Sequence, residues 1–370
     1  MKLNIPENIA KIIPYPPGKP QDELEREYGI SESIKLASNE NSWGPSPKAV
    51  SAIKEMLTGL HRYPDGSSYY LTHALAKWVN ASPDEIVLGN GSNEVIEFLI
   101  KAFVRIGDEV ITSHPSFLMY QKFVQVRGGS NIVIELRDMD HDLEAIAAAV
   151  TERTRLIFLD NPNNPCATLI TKERFAEFLT RLPESVIVVL DEAYVDFVDP
   201  AERIDVQALI HNPDGIPAVV ALRTFSKAFG LAGLRVGFGI MHADIASLLH
   251  RVRQPFNINL PAQVGALAAL GDQHHYDKTL NNTREGLHWL TDQVQSLGCR
   301  PYPSFTNFFL IDVQGDATAL YEAMLHKGVI VRSMKAYGYP DYIRITVGTE
   351  AENTRFVNAL KDCLQELSYV

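Results

Sequence analysis

Short apolar runs alternate with amphipathic helical segments between residues 85 and 240, and this alternation limits the possible fold more than any other feature. The runs are rich in β-branched residues, as at residues 186–190. Strands separated by helices are joined by crossover connections, which favours a parallel sheet with helices on both faces. Such strands are buried on both sides and read as continuous apolar runs. We therefore predict an α/β fold with a mainly parallel central sheet.

The alternation predicts the following elements. The strands are 85–88, 108–112, 131–136, 155–159, 186–190, 219–222 and 236–240, and the helices between them are 93–104, 118–126, 143–150 and 172–182. Beyond residue 255 the pattern changes to a smaller α+β region. Its helices are 260–270, 276–297, 317–327 and 351–367, and its strands are 308–312, 329–332 and 342–346.

Prolines dominate the first 47 residues, and proline blocks helix continuation, so we expect a mostly extended arm there. The length of 370 residues suits two domains in addition to that arm. The predicted organisation is an arm at 1–47 that packs with the small domain, a large domain at 48–255, and a small domain at 256–370.

Charge and cysteine content exclude several classes of function. The chain has 34 Lys plus Arg and 45 Asp plus Glu, a formal net charge of −11, and no basic run, which disfavours binding to nucleic acid or anionic membranes. Cys166, Cys299 and Cys363 lie far apart, which indicates neither a metal site nor a disulfide framework. Without an apolar segment of signal-peptide or membrane-spanning length, we expect a cytoplasmic protein.

Polar residues follow several of the predicted strands. In α/β sheets, ligands bind at the carboxyl ends of the strands, so we expect these segments to meet in one crevice. The segments are 89–92, 160–165, 191–194 and 223–227. The first can present backbone N–H groups to an anion. It is not a dinucleotide fingerprint, because position 94 is Glu where the third glycine would stand.

Lys227 is the central candidate for chemistry. It ends a predicted buried segment, and burial lowers the pKa of a lysine amine, which can then form a Schiff base with an aldehyde. Thr224 and Ser226 can donate hydrogen bonds to a phosphate, and Arg235 adds a fixed positive charge. A lysine taken alone is more often solvated, so the hypothesis depends on these neighbours.

Asp191 is the second candidate. A carboxylate that ends a buried strand needs a cationic partner, and a protonated pyridine nitrogen would serve. Tyr194 could reach the phenolate oxygen of the same ring, although Asp191 could equally cap the following helix. The two X-Pro steps of 161–165 could aim an asparagine amide into the crevice, and Phe117 could stack on a flat ring. A surface turn and a core phenylalanine are the ordinary alternatives.

The order and spacing of these elements resemble those of the fold-type I pyridoxal-phosphate aminotransferases nearly from end to end. The block from Ser226-Lys227 to Arg235 is highly specific for that superfamily. Further matching segments are Pro14–Pro20, Ser38–Asn41 with Gly44–Pro47, Arg62–Asp65, Gly89–Glu94, Asn161–Pro165, Asp191–Tyr194 and Tyr342–Thr349. The arm motif and residues 337–349 are most similar to the histidinol-phosphate aminotransferase family.

The resemblance implies pyridoxal 5'-phosphate as cofactor, held by a large domain of the pyridoxal-phosphate transferase type. Lys227 would hold the cofactor and move a proton between it and the substrate, and Asp191 would pair with the pyridine nitrogen. Tyr194 and Asn164 would hold the phenolic oxygen. Other implied cofactor contacts are Gly91, Ser92, Asn93, Phe117, Ser226 and Arg235. Tyr63 would reach the phosphate from a neighbouring subunit, which implies a homodimer with composite sites.

The resemblance also implies substrate contacts. Arg344 would meet an amino-acid carboxylate, the substrate phosphate would fall on Arg344 or Arg332, and Asn39 and the arm residue Tyr15 would lie against the substrate. The expected reaction transfers an amine from histidinol phosphate to 2-oxoglutarate in histidine synthesis. Rival activities are aromatic amino-acid transamination and decarboxylation of the related phosphothreonine type. A further alternative is a ligand-binding relative that has lost catalysis. The presence of Lys227, Asp191 and Arg235 argues against it.

Three positions depart from the family pattern. Cys166-Ala167 replaces the usual Thr-Gly, which would cost about 1 kcal/mol if the turn needs a positive φ. Asn93 stands where Asp is common, and Ser42 where Pro is usual. We expect Cys166 to be a packed, unreactive thiol.

Overall fold

The computed structural model describes residues 3–14, 20–211 and 215–369. Its strands are β1 (Ile34–Lys35), β2 (Ile86–Gly89), β3 (Glu109–His114), β4 (Ser130–Glu135), β5 (Thr154–Asp160), β6 (Ile187–Asp191), β7 (Ala218–Thr224), β8 (Gly237–Ile240), β9 (Arg300–Pro301), β10 (Phe308–Asp312), β11 (Val329–Ile330), β12 (Arg332–Ser333) and β13 (Tyr342–Thr346). Its α-helices are α1 (Glu7–Ala10), α2 (Gln21–Tyr28), α3 (Pro47–Met56), α4 (Tyr69–Trp78), α5 (Ser92–Phe103), α6 (Met119–Arg127), α7 (Leu143–Ala148), α8 (Lys172–Thr180), α9 (Val206–Ile210), α10 (Ala243–Val252), α11 (Leu260–Leu270), α12 (Gln273–Ser296), α13 (Ala317–His326) and α14 (Glu350–Leu367). None of the helices within these ranges is long and apolar enough to cross a bilayer.

A seven-stranded sheet in the order β2-β8-β7-β6-β5-β3-β4 forms the centre of the molecule. Strand β8 runs antiparallel to both of its neighbours, and the remaining neighbours are parallel. Alternate residues of one strand enter different cores: Val188 belongs to one apolar cluster and Val189 to another. Both faces of the sheet are therefore covered, and the predicted α/β fold with a mainly parallel central sheet is confirmed.

The C-terminal region has its own antiparallel sheet in the order β12-β13-β10-β9. Its core joins strand residues such as Phe309 and Ile343 to α14 residues such as Phe356. The predicted continuous strand 329–332 is wrong. Residues 329–330 instead pair in parallel with β1, and residues 332–333 pair with β13, so the chain changes sheets at residue 331.

The N-terminal region contains more helix than the extended arm that the sequence predicts. Residues 21–28 form α2, which begins directly after Pro20 and buries Leu24 against Leu325 and Ile330. The shorter α1 lies elsewhere, because the Asn8 amide donates to backbone oxygens of α6. The described arm thus touches both parts of the molecule, and the division of the chain at residues 47 and 255 stays a prediction.

Four strand ends bring polar groups to one edge of the central sheet. Asp160 ends β5 and lies in register with Asp191, which ends β6. Thr224 ends β7, and α5 begins at Ser92 shortly after β2. Because these ends are neighbours, side chains that are far apart in the sequence face a common space.

Candidate active site

A cavity of about 280 Å³ opens at this edge of the central sheet. Its lining includes four cationic and two acidic side chains: Lys227, Arg235, Arg332, Arg344, Asp160 and Asp191. Other lining residues are Asn39, Ser92, Asn93, Phe117, Tyr120, Asn164, Tyr194, Thr224, Ser226 and Tyr337. The excess of cations makes the cavity suited to anionic ligands.

Lys227 projects into this cavity from the turn after β7. Its Nζ donates to the backbone oxygen of Asn39 over 3.1 Å and lies 5.4 Å from the centroid of the Tyr194 ring. Burial, helped by the nearby Arg344 guanidinium, lowers the pKa of this amine from 10.5 to about 8. A useful fraction of neutral amine is therefore present near neutral pH, as a nucleophile requires.

Asp191 also lines the cavity and is buried. It accepts a hydrogen bond of 2.7 Å from the Tyr120 hydroxyl and one of 3.1 Å from the backbone of Ala193. Burial raises the pKa of its carboxyl from 3.8 to about 7, whereas the Tyr120 hydrogen bond lowers it. A cationic ligand nitrogen would lower that pKa further and make the carboxylate its natural partner.

Tyr120 is a residue of the site that our reading of the sequence missed. It is fully buried in α6, three residues after Phe117, which precedes that helix, and the two ring centroids are 5.5 Å apart in an edge-on arrangement. The sequence offers only the position of Tyr120 shortly after a strand end as a signal, because a buried tyrosine in a helix resembles ordinary core.

The Tyr194 hydroxyl accepts two hydrogen bonds from asparagine amides. The donors are Nδ2 of Asn39 at 2.9 Å and Nδ2 of Asn164 at 3.3 Å. Burial raises the pKa of this phenol to about 12, so the group stays a neutral donor. Its own proton is free to bind an oxygen atom of a ligand.

Arg344 reaches the same wall from β13. Nη1 donates to Oδ1 of Asn164 over 2.6 Å, and Nη2 donates to the backbone oxygen of Ala37 over 3.0 Å. The guanidinium carbon lies 5.0 Å from the centroid of the Phe308 ring. Arg332 is the second arginine of the C-terminal sheet in the cavity, and it lies over the Tyr337 ring at 6.0 Å. Both are placed to meet ligand anions.

Two glycines let the backbone form an anion-binding corner. A Cβ atom at Gly237 would lie 2.2 Å from the amide nitrogen of Ser92, and one at Gly91 would lie 2.7 Å from Nη2 of Arg235. The N-terminus of the twelve-residue α5 and the Arg235 guanidinium therefore share one corner. A helix N-terminus beside an arginine is a ready site for a phosphate. Asn93 on the same turn has a buried Oδ1 without a hydrogen-bond partner among the described residues, and as an acceptor this oxygen would pair with a ligand N–H and not with the phosphate.

The remaining sequence candidates lie elsewhere. Tyr63 is 83% exposed, is stacked on Phe256 with 4.9 Å between centroids, and is not among the described residues that line the cavity. Tyr15 lies outside the described residues. Ala167 has a φ of 64°, so the turn does use the conformation that a glycine would favour. Cys166 is buried, and burial raises the pKa of its thiol to about 12.

Comparison with known proteins gives one consistent family. Residues 31–360 match the family described as "Aminotransferase class I and II". Histidinol-phosphate aminotransferase of Desulfotalea psychrophila is 65% identical over 370 residues, which are 100% of this chain and 98% of that protein. Histidinol-phosphate aminotransferase of Moorella thermoacetica is 45% identical over 97% of this chain and 92% of its own.

A solved structure agrees with these relatives. Histidinol-phosphate aminotransferase from Sinorhizobium meliloti, in complex with pyridoxal-5'-phosphate, superposes with a TM-score of 0.90 at 27% identity, covering 99% of both chains. The sequence match, the shared fold and the lysine-containing cavity lead to one assignment. The chain belongs to the class I and II aminotransferase family.

Proposed function

We propose that this protein is a pyridoxal-phosphate-dependent aminotransferase that moves an amine from histidinol phosphate to 2-oxoglutarate. The observation that carries this proposal is the 65% identity, over the whole chain, to a relative named histidinol-phosphate aminotransferase. The products would be imidazole acetol phosphate and glutamate. Because one amine is carried between two substrates in turn, ping-pong kinetics are expected.

The residues present fit the cofactor. The corner of Ser92, Ser226 and Arg235 suits its phosphate, and the Asp191 carboxylate suits its pyridine nitrogen. When bound, pyridoxal phosphate supplies an aldehyde that condenses with amines and a ring that acts as an electron sink. The edge-on contact between Phe117 and Tyr120 leaves the Phe117 ring at the cavity wall, where it can lie against that ring.

In the reaction, the protein's side chains would hold the cofactor ring in place and move one proton between the substrate and the cofactor. Lys227 Nζ, with its lowered pKa, would accept a proton from the amine-bearing carbon of the substrate and return it to the cofactor carbon bonded to the same nitrogen. Asp191 would hold a negative charge opposite the ring nitrogen. Tyr194 and Asn164, which are hydrogen-bonded to each other, would donate to the phenolic oxygen and fix the orientation of the ring.

The arginines of the C-terminal sheet would select the substrate. Arg344, already fixed by Asn164 and Ala37, would bind the carboxylate of glutamate or 2-oxoglutarate in a forked contact. Arg332 or Arg344 would bind the phosphate of histidinol phosphate. Asn39 lines the same space, and Tyr15 belongs to this set by resemblance alone.

We also propose a homodimer in which Tyr63 enters the neighbouring subunit's site. The support is the exposed pair of Tyr63 and Phe256, because a large stacked aromatic surface of this kind is typical of an interface. Mixing Tyr63→Ala and Lys227→Ala subunits under exchange conditions tests it. One site of the hybrid would be intact, so activity should rise above that of either parent; no rise would refute the shared site.

The substrate proposal is tested by steady-state kinetics on the purified holoenzyme. We expect a kcat/KM for histidinol phosphate at least about a hundredfold above that for phenylalanine, since only the former offers a phosphate to the arginines. Lys227→Ala is the control and should abolish turnover. A preference for phenylalanine would favour aromatic transamination, and release of carbon dioxide would favour decarboxylation.

A further inference from the structure

Ser113, His141 and Asp160 form a buried chain of hydrogen bonds behind the wall of the cavity. Ser113 Oγ lies 2.7 Å from Nδ1 of His141. His141 Nε2 lies 3.2 Å from Oδ1 of Asp160 and 3.1 Å from its backbone oxygen. All three residues are at most 3% exposed, and only Asp160 borders the cavity.

The two partners of Nε2 fix the tautomer of the imidazole. Both are acceptors, so Nε2 carries a hydrogen atom that it donates to Asp160, and Nδ1 is left to pair with the Ser113 hydroxyl. The arrangement is not a nucleophilic triad. The ring nitrogens are used in the reverse order to that of serine hydrolases, and the Ser113 hydroxyl is buried out of reach of a substrate.

Asp160 connects His141 to the residues that line the cavity. Its Oδ1 also accepts from Nδ2 of Asn163 over 3.0 Å, and its Oδ2 accepts from the backbone N–H of Asn164 over 2.8 Å. The side chain of Asn164 then donates to Tyr194 and accepts from Arg344. A change in the Asp160 carboxylate therefore moves the residue that joins the cofactor side of the cavity to its substrate side.

We propose that His141 is a positioning residue that orients Asn164 through Asp160. Through Asn164 it would set both the affinity for the cofactor and the position of the substrate carboxylate. This rests on the proposed function, since it uses the assigned contacts of Asn164 and Arg344. The role is specific to the N–H at Nε2: a side chain that fills the space without donating there leaves an Asp160 oxygen lone pair unmatched.

Two substitutions of His141 separate the effect of the donated hydrogen bond from the effect of side-chain packing. His141→Leu fills much of the volume but donates nothing, whereas the amide of His141→Gln can place an N–H near the position of Nε2. We expect His141→Leu to weaken pyridoxal phosphate binding about five- to tenfold, the effect of one lost hydrogen bond. The KM for glutamate should rise by a similar factor, with a smaller change in kcat. His141→Gln should restore both to within about twofold.

A second measurement does not require turnover. Nitrogen NMR of ring-labelled histidine in the cofactor-free wild type should show His141 with its hydrogen on Nε2, and Ser113→Ala should change the Nδ1 resonance without unfolding the chain. Hydrogen on Nδ1 alone would overturn the proposal. So would a His141→Leu protein that loses thermal stability but keeps wild-type cofactor affinity and KM.

The same experiments distinguish this proposal from the proposed function. If the wild type does not transaminate histidinol phosphate, the substrate assignment fails. The titration with pyridoxal phosphate and the nitrogen spectra would still decide the role of His141.

Discussion

The Tyr120 hydroxyl donates a 2.7 Å hydrogen bond to Oδ2 of Asp191, and both side chains are buried. A phenol can stabilise the carboxylate without adding a counter-charge. That property matters here, because a second cation at this place would compete with a ligand nitrogen for Asp191. The Tyr120 hydrogen bond thus opposes in part the effect of burial, which raises the pKa of Asp191 to about 7, without adding a competing cation.

Tyr120→Phe removes that donor. The pKa of Asp191, already about 7, should rise further, because the Tyr120 hydrogen bond lowers it. Neutral Asp191 would attract the pyridine nitrogen less, and we expect pyridoxal phosphate affinity at neutral pH to fall about tenfold. Fluorescence titration measures this. Tyr28→Phe, in the distant α2, is the control, and equal affinities in the two variants would contradict the prediction.

Asp191→Asn should change how stability depends on pH in the cofactor-free protein. The folded pKa of about 7 exceeds the ordinary 3.8, so between these values the native state holds a proton that the unfolded chain has released. The free energy of unfolding then falls as pH rises through that window, by on the order of 4 kcal/mol. The variant should lack this fall, so its stability relative to the wild type should increase as pH rises from about 4 to about 7 and stay constant above that.

Urea unfolding at several pH values between about 4 and 8 provides the measurement. If wild type and Asp191→Asn keep a constant difference across that range, the carboxyl does not titrate within it.

Lys227 should react with the cofactor in a pH-dependent way. Its pKa of about 8 means that the neutral amine grows with pH up to that value and levels off above it. The rate at which cofactor-free protein captures pyridoxal phosphate should follow the same curve in stopped-flow absorbance. Arg344→Gln removes a charge that lowers this pKa, so its inflection should move to higher pH. An inflection near 10.5 in the wild type would mean an unperturbed lysine.

An ion pair between a buried glutamate and a partly exposed arginine gives a stability prediction. Nε of Arg223 lies 2.8 Å from Oε2 of Glu192, whose side chain is 2% exposed. Arg223→Met leaves that carboxylate unpaired and should lower the free energy of unfolding by about 3 kcal/mol. Adding Glu192→Gln should recover most of the loss. Denaturant unfolding compares the three proteins, and a loss that persists in the double variant would assign the effect to packing.

Strands were easier to predict than helices near prolines. The bounds of β10 and β13 agree with the sequence, because β10 is an apolar run up to Asp312 and β13 is rich in aromatic and β-branched residues. The sequence pattern does not predict α2 and α3, because proline inside a helix breaks it. Pro20 instead precedes α2, and Pro47 is the first residue of α3 behind a Ser46 cap, where a missing N–H costs nothing.

The site was predictable where residues follow strand ends and not where distant segments meet. Lys227 and Asp191 were found because parallel strands end at one edge. The bond between Asn39 and Tyr194 joins residues 155 positions apart and leaves no local pattern. Tyr120 was missed because a buried tyrosine in a helix resembles ordinary core. The change of sheet after β11 depends on pairing with β1, which residues 329–332 alone cannot indicate.

Arg344 donates to Asn164 in the loop after β5 and to Ala37 in the N-terminal segment. These two bonds restrict its rotamers, so under the proposed function a dicarboxylate would meet a guanidinium that folding has already positioned. The same bonds join three stretches of chain that are distant in sequence. The Arg344 guanidinium therefore contributes to the contact between the C-terminal sheet and the loop after β5, and a substitution that changed ligand binding at this position would also remove that contact.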